Sequence, residues 1–163
     1  MVNIRLANNY DIENFLEWNE EGDDFLCQWS NYHYPLTKNQ IEYRIGSDQF
    51  YVFSIESDDT LVGTIQLFKF DNEEKSAKVG CFLIDPNYRN KGIGKEAICL
   101  VTKYAFEELK LCKLQLAVFD FNKSAIKCYE KCGFIKCGQY IHQKGWIGYN
   151  MEIYNKSDIE NKV

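Results

Sequence analysis

The stretch that decides the fold reads Asp85-Pro86-Asn87-Tyr88-Arg89-Asn90-Lys91-Gly92-Ile93-Gly94-Lys95. It follows an apolar run that predicts a strand at residues 78–84, and it opens an apolar repeat with helical spacing over residues 92–109. The first turn of a helix has backbone N–H groups without intrahelical partners and a positive dipole end, which together favour phosphate. The block therefore predicts an anion-binding turn between a strand and a helix.

The residue types in this block suit a diphosphate. Gly92 and Gly94 lack the Cβ atoms that would hold a pyrophosphate away from the backbone. Cationic donors are supplied by Arg89, Lys91 and Lys95. Strand-to-helix turns also use glycine and lysine for geometry and solubility alone, so a purely structural turn is the alternative. The block has no Walker-type G-x-x-x-x-G-K-[ST], which argues against a P-loop nucleotidase.

The same block also matches the dinucleotide fingerprint G-x-G-x-x-A, from Gly92 to Ala97. Asp120, after the next predicted strand, would take the place of the ribose-binding acid. However, the motif lies past the midpoint of the chain and follows strands predicted to be antiparallel. Too little sequence remains for a doubly wound sheet, so an NAD-dependent oxidoreductase is the second-ranked interpretation.

Hydrophobic spacing predicts the other elements. Strands are expected at residues 2–6, 50–54, 61–70, 78–84, 114–119, 134–141 and 146–154. Helices are expected at residues 8–18, 37–46, 92–109 and 122–131. We interpret residues 1–154 as a single domain, and residues 155–163 as a polar C-terminal tail that is frayed.

Composition narrows the function. The chain has 163 residues and a formal net charge of -5, which argues against general nucleic-acid binding but allows a cationic partner. It has neither a signal-peptide pattern nor an apolar run of roughly 18 residues, so we expect a cytoplasmic protein without a membrane partner. The seven cysteines show no disulfide framework and no metal-ligand spacing, which predicts reduced thiols and no metal.

Two motifs in the chain resemble those of a known family. The first, Arg89-x-x-Gly92-x-Gly94, resembles the cofactor motif of the GNAT acetyltransferase superfamily. Asn122-x-x-Ala125-Ile126-x-x-Tyr129-Glu130-Lys131-x-Gly133-Phe134 resembles the downstream helix of that family. The likeness is specific over residues 80–134 and is closest to the Rim-type N-acetyltransferase branch. It implies a mixed α/β fold with a central, mostly antiparallel twisted sheet of about seven strands, flanking helices, and a splay between the fourth and fifth strands.

The resemblance also implies a site for acetyl-CoA as cosubstrate. The residues that it assigns to cofactor binding are Phe82, Leu83, Ile84, Arg89, Asn90, Lys91, Gly92, Ile93, Gly94, Lys95, Asn122 and Tyr129. Backbone groups of residues 82–84 would pair with the pantetheine arm, and residues 89–95 would hold the pyrophosphate. Asn122 would bond the arm, and Tyr129 would protonate the departing thiolate as the catalytic general acid. The reaction implied is acetyl transfer to a primary amine of a small molecule or of a peptide or protein N-terminus.

The resemblance leaves the proton acceptor and the amine undecided. Ala117 stands where some relatives carry a glutamate. The substitutes are a water chain or one of the carboxylates Glu17, Glu20, Asp23 and Asp24, which a solvated acidic face explains equally well. Acceptor specificity is expected in residues 18–35, whose aromatic and acidic side chains suit a cationic amine or serve only for packing. An acyl-CoA sensor without turnover and an enzyme using a longer acyl-CoA are further alternatives. A C-terminal edge strand would allow a homodimer.

Overall fold

The structure is a computed structural model that describes residues 1–19, 32–33 and 35–160. Within them the strands are β1 Val2–Leu6, β2 Tyr51–Ser57, β3 Thr60–Asp71, β4 Ser76–Ile84, β5 Lys113–Phe119, β6 Ile135–Ile141 and β7 Ile147–Tyr154. The helices are α1 Ile12–Glu17, α2 Lys38–Gly46, α3 Ile93–Glu107, α4 Lys123–Lys131 and α5 Lys156–Glu160, and 3-10 turns cover Asn9–Asp11 and Pro86–Tyr88. None of these helices is both long enough and apolar enough to cross a membrane.

The elements predicted from hydrophobic spacing are all present, with bounds that differ by a few residues. In α3 the fully or nearly fully buried positions Ile93, Ala97, Val101 and Ala105 recur every fourth residue, which is the spacing of one helix face. Within the stretch that was expected to be a frayed polar tail, residues 156–160 form α5. Asn155 starts this helix by accepting a hydrogen bond from the Ser157 backbone N–H at 3.2 Å.

The strands form a seven-stranded sheet in the order β1-β2-β3-β4-β5-β7-β6. The neighbours β1 and β2, β2 and β3, β5 and β7, and β6 and β7 are antiparallel. β4 and β5 are parallel, and they pair only from Ser76 with Lys113 to Lys78 with Gln115. The predicted mostly antiparallel sheet with a splay between its fourth and fifth strands is therefore confirmed. This topology is incompatible with a doubly wound dinucleotide fold, which requires a mainly parallel sheet.

The chain divides into two compact units, and the first comprises Met1–Lys69 and Val79–Ile93. Its apolar core includes Ile12 and Phe15 of α1, Ile41 of α2 and Val52 of β2. Asp11 is buried beside this core. Burying an unpaired carboxylate would raise the free energy of the folded state, so the hydrogen bonds of Asp11 determine whether its burial is tolerated.

Both carboxylate oxygens of Asp11 accept hydrogen bonds. Arg5 donates to its two oxygens at 2.8 and 2.9 Å, the Ser54 hydroxyl donates at 2.8 Å and the Asn8 backbone N–H at 3.0 Å. Burial raises the pKa of Asp11, but the hydrogen bonds from Arg5, Asn8 and Ser54 together lower it below its ordinary value. Asp11 therefore ties α1 to β1 and β2 as a structural carboxylate.

The second unit comprises Phe70–Lys78 and Gly94–Val163. In its described residues, β7 pairs with β5 along the whole of β5, from Lys113 with Tyr154 to Phe119 with Gly148. Cys99 of α3 and Cys132, which follows α4, form a disulfide with Cα atoms 5.7 Å apart. The prediction that every thiol is reduced is therefore wrong for this pair, because two positions 33 residues apart in sequence are brought together by helix packing.

Candidate active site

The predicted anion-binding turn lies in the first unit and is built from local hydrogen bonds. Asp85 is held by its backbone N–H, which donates to the Val62 carbonyl at 2.8 Å. Its carboxylate accepts from the Asn87 backbone N–H at 2.9 Å, and its carbonyl accepts from the Tyr88 N–H at 2.8 Å. These bonds turn the chain sharply after β4 and direct it into α3.

Two residues of the turn adopt left-handed backbone conformations. Asn90 has φ of 62° and Gly92 has φ of 81°, and a Cβ built on Gly92 would meet no atom within 4 Å. Asparagine and glycine are the residues that adopt this conformation most readily. The space beside the Gly92 backbone, where α3 begins, is therefore open, and the role of Gly92 in the close approach of a phosphate stays a prediction.

The cationic side chains of the turn are exposed, and a hydrogen bond to the backbone orients that of Arg89. Its Nε donates to the Ile84 carbonyl at 3.0 Å, so its two Nη groups are the ones a phosphate would meet. The Lys91 ammonium lies 5.1 Å from the centre of the Tyr88 ring. The Arg89 contact brings the predicted phosphate turn and the predicted pantetheine strand, residues 82–84, together in the first unit.

The strand that contains residues 82–84 is irregular just before them. Cys81 has φ of 50°, a left-handed conformation that is rare in a strand and typical of a bulge. Beyond this point Phe82, Leu83 and Ile84 are half-buried. A Cβ built on Gly63 of β3 would lie 2.7 Å from the Leu83 carbonyl oxygen, so only glycine allows β3 to approach residues 82–84 this closely.

The other two predicted cofactor residues lie on α4 in the second unit. Asn122 is the N-cap of α4, and its side-chain oxygen accepts from the Ala125 backbone N–H at 3.4 Å. Tyr129 lies seven residues further on, which is two helical turns and therefore the same face. Its side chain is 4% exposed, with its ring 6.0 Å from that of Phe134.

Burial raises the pKa of Tyr129 well above its ordinary value, and the neighbouring Cys128 raises it further. The phenol therefore keeps its proton at neutral pH, as a general acid must before the reaction.

Within the second unit, the beginning of α3 contacts the end of α4. The Cys132 sulfur lies 3.3 Å from the carbonyl oxygen of Lys95, and the disulfide to Cys99 lies one turn further along α3. Lys95, a predicted pyrophosphate residue, is thus close to the helix that carries Tyr129. Sequence reasoning did not predict this contact, because it joins residues from two separate motifs.

A buried cation that the sequence interpretation missed lies in the first unit. Arg44 of α2 is only 6% exposed, and its guanidinium carbon lies 3.6 Å from the centre of the Tyr32 ring. Its Nη1 donates to the Gln66 side chain at 3.0 Å and contacts the Cys81 sulfur at 3.4 Å. Burial raises the pKa of Tyr32 to about 12. The sequence signal was an arginine three residues after buried Ile41, on the apolar face of a helix.

The proton acceptor is not identified by the described residues. Ala117 is exposed on β5 and pairs across the sheet with Asn150, neither of which is a base. Glu17 is exposed at the end of α1, while residues 20–31 and 34, which include the other candidate carboxylates and most of the expected acceptor segment, lie outside the described residues. No group of three or more potential metal ligands occurs within the described ranges.

Comparisons with known proteins identify the family to which the chain belongs. The model of the Acetyltransferase (GNAT) family matches residues 12–134, which is well over half of the chain. The chain belongs to the GNAT acetyltransferase family. A probable N-acetyltransferase of Bacillus subtilis, YjcK, is 37% identical to this acetyltransferase over 149 residues, which cover 84% of the chain and 82% of the relative.

Two further relatives carry polyamine names. The spermidine N(1)-acetyltransferase of Escherichia coli is 29% identical over 139 residues, covering 85% of this acetyltransferase and 69% of the relative. A crystal structure of spermidine N-acetyltransferase from Vibrio cholerae, in complex with CoA and spermine, superposes with a TM-score of 0.81 at 21% identity. It covers 97% of this chain and 98% of its own, and at that identity the likeness establishes the fold.

The family assignment answers the question of reaction class. The chain is an N-acetyltransferase that uses acetyl-CoA as its cosubstrate. The second-ranked NAD-dependent interpretation of residues 92–97 is therefore wrong, since glycines at a helix start serve a pyrophosphate in either fold and only the sheet topology distinguishes the two. The individual roles predicted for Asn122, Tyr129 and the residues of the turn stay predictions.

Proposed function

We propose that this acetyltransferase transfers the acetyl group of acetyl-CoA to a primary amine of a cationic polyamine, by direct attack while both substrates are bound. Two findings support the acceptor class. Its relatives include enzymes named for spermidine, and its net charge of -5 favours the approach of a polycation.

The proposal assigns the pyrophosphate of acetyl-CoA to the turn that precedes α3. Backbone N–H groups at Ile93, Gly94 and Lys95, which begin the helix, would donate to phosphate oxygens. The Nη groups of Arg89 and the ammonium of Lys91 would add charge-assisted hydrogen bonds. The observation that carries the proposal is the open left-handed backbone at Gly92, directly before the start of the helix. Its φ is 81°, and no atom lies within 4 Å of the point that a Cβ would occupy.

The pantetheine arm is assigned to two places. Backbone groups of residues 82–84 would pair with its amides as an added strand does. Asn122 already uses its side-chain oxygen as a helix cap, so its amide NH2 is the group that would donate to a carbonyl of the arm.

The chemical step needs a neutral amine, a thioester and one acid. The nitrogen lone pair of the amine would attack the thioester carbonyl carbon, forming the C–N bond, and the C–S bond would then break. Tyr129 would give its proton to the departing thiolate sulfur, and its raised pKa supports this role because the phenol stays protonated until the sulfur demands the proton. The proton of the attacking nitrogen would leave to water or to one of the carboxylates Glu17, Glu20, Asp23 and Asp24.

A binding and turnover experiment tests the proposal. Calorimetry should detect binding of acetyl-CoA and of CoA at micromolar concentrations. Labelled acetyl-CoA should transfer its acetyl group to spermidine and spermine faster than to amino acids, aminoglycosides or N-terminal peptides. No binding at high micromolar concentration would contradict the cofactor site, whereas binding with transfer only to peptides would contradict the acceptor class alone.

The proposal also includes a cytoplasmic location, the absence of a nucleic-acid partner and the capacity to form a homodimer. The net charge of -5 disfavours polyanions as partners. β6 lies at one edge of the sheet, and its side chains are mostly exposed. An edge strand of this kind would allow pairing with a second copy, which size-exclusion chromatography with light scattering would detect.

A further inference from the structure

A disulfide in the second unit lies beside a cavity that the proposed reaction does not use. Cys99 and Cys132 are both half-buried, and both line a cavity of about 600 Å³. This volume lies within the range of about 300 to 1,000 Å³ that is usual for small-molecule sites. A small reagent in the cavity would therefore contact both cysteines.

The lining of this cavity is positively charged. Lys103, Lys110 and Lys156 line it, and all three are exposed. Among the described residues that line it, Glu107 carries the one acidic side chain. The chain as a whole carries a net charge of -5, so the cavity is a local departure from the overall charge. Lysines at the mouth of a small cavity attract anions and disfavour cations.

The two sulfur atoms are not equivalent. The Cys132 sulfur lies 3.3 Å from the Lys95 carbonyl oxygen, so a released Cys132 thiol has a hydrogen-bond acceptor in place. In thiol–disulfide exchange the sulfur whose thiolate is better stabilised leaves more easily, and the neighbouring carbonyl oxygen disfavours the Cys132 thiolate. This favours attack on Cys132 and release of Cys99.

We propose that the cavity admits an anionic low-molecular-weight thiol, which reduces the Cys99–Cys132 bond by exchange. The incoming thiolate attacks the Cys132 sulfur, an S–S bond forms between them, and Cys99 leaves as a thiolate that takes a proton from solvent. A second thiolate then attacks the incoming sulfur of the mixed disulfide and releases Cys132. Two small thiols are oxidised to one small disulfide, and the two cysteines are reduced, so electrons and protons balance.

The test compares small thiols of different charge on the purified, oxidised full chain. Glutathione serves as the anionic thiol, 2-mercaptoethanol as the neutral one and cysteamine as the cationic one, each at the same thiolate concentration. The rate at which Cys99 and Cys132 become open to alkylation is followed by peptide mass spectrometry. We expect glutathione to reduce the bond about tenfold faster than cysteamine, from the attraction of the cavity lysines.

Charge-reversal variants test the cause of that preference. The double variant Lys103→Glu with Lys110→Glu should remove the preference for glutathione or reverse it. Lys78→Glu is the matched control, because Lys78 is exposed but does not line the cavity. It makes half the charge change of the double variant and should keep the preference. Equal rates for glutathione and cysteamine in the unaltered chain, or a preference that the double variant retains, would overturn the proposal.

Variants that lack one of the two disulfide cysteines test the direction of attack. Cys132→Ser leaves Cys99 as a lone cavity thiol, and Cys99→Ser leaves Cys132 as one. With glutathione disulfide, we expect Cys132→Ser to form the mixed disulfide faster than Cys99→Ser, because the Lys95 carbonyl oxygen disfavours the thiolate of Cys132, and the thiolate is the attacking form. The opposite order would overturn this assignment. Alkylation of both cysteines in the chain that has been exposed to oxidant but not to any thiol would show that the disulfide does not form. That result would overturn the whole inference.

Discussion

Gly63→Ala is the substitution that most directly tests how β3 supports the proposed pantetheine strand. The alanine Cβ would lie 2.7 Å from the Leu83 carbonyl oxygen and 2.8 Å from the Ile84 Cδ1 atom. The Ile84 methyl is the end of a flexible side chain and can move, but the Leu83 oxygen is part of the backbone. Ordinary contact therefore requires the backbone at Leu83 to shift by about half an ångström or more, since interiors are close-packed.

The expected loss of stability in Gly63→Ala comes from overpacking, and the expected rise in the Kd for acetyl-CoA comes from one weakened hydrogen bond. Adding a methyl group to a well-packed site typically costs about 1 to 3 kcal/mol, and a loss of about 2 kcal/mol would lower the Tm by about 4 to 8 °C in a chain of this size. A displaced Leu83 backbone would weaken one proposed hydrogen bond to the pantetheine arm. That bond is worth about 0.5 to 1.5 kcal/mol, so the Kd for acetyl-CoA should rise by up to about tenfold.

Gly46→Ala provides the matched control. Gly46 ends α2, and a Cβ built there would meet no atom within 4 Å. The same chemical change should therefore raise stability by up to about 1 kcal/mol and leave the Kd unchanged. Thermal unfolding and calorimetry with acetyl-CoA measure both quantities. If Gly63→Ala stabilised the chain as Gly46→Ala does, the close approach of β3 to Leu83 would be wrong, whereas a lower Tm with an unchanged Kd would contradict only the pairing of the arm with residues 82–84.

Three further predictions concern the site and the core. Arg89→Ala combined with Gly94→Glu should abolish acetyl-CoA binding in calorimetry while circular dichroism stays unchanged, and retained binding would refute the phosphate assignment. Tyr129→Phe should lower kcat by about 10²-fold or more with the acetyl-CoA affinity retained, whereas full turnover would mean that water protonates the thiolate. The folded-state pKa of Asp11 is lowered, so its contribution to stability is present above the unfolded pKa of about 3.9 and is lost as pH falls through the folded value. Asp11→Asn should therefore cost about 1 to 3 kcal/mol at pH 7, and this difference should shrink in urea titrations toward pH 2; a constant difference would show that the charge is irrelevant.

Local patterns explain why so much of the fold could be predicted. The spacing of Ile93, Ala97, Val101 and Ala105 shows one helix face, because an α-helix brings every third or fourth residue to the same side. The turn before this helix was predictable for the same reason, since Gly92 and its neighbours act through their own backbone conformations. Asn122 was predicted at the start of α4 and does cap that helix.

Buried charges and long-range contacts were not predictable in this way. The sequence places Arg44 in a short helix, but nothing near it in sequence indicates that it packs on Tyr32 and bonds Gln66. Asp11 likewise gives no sequence sign that Arg5 and Ser54 would satisfy it. Such contacts depend on which strands and helices become neighbours, and a single sequence carries no direct record of that.

The sequence by itself determined the order of the elements, the turn at residues 89–95 and the helix that carries Tyr129, because each depends on the conformations and spacing of residues close together in the chain. Only the tertiary structure decided that Cys99 and Cys132 are joined, that Gly63 must be a glycine beside Leu83, and that β4 is irregular at Cys81. These features depend on distances between atoms far apart in sequence, and packing fixes those distances only when the whole chain folds.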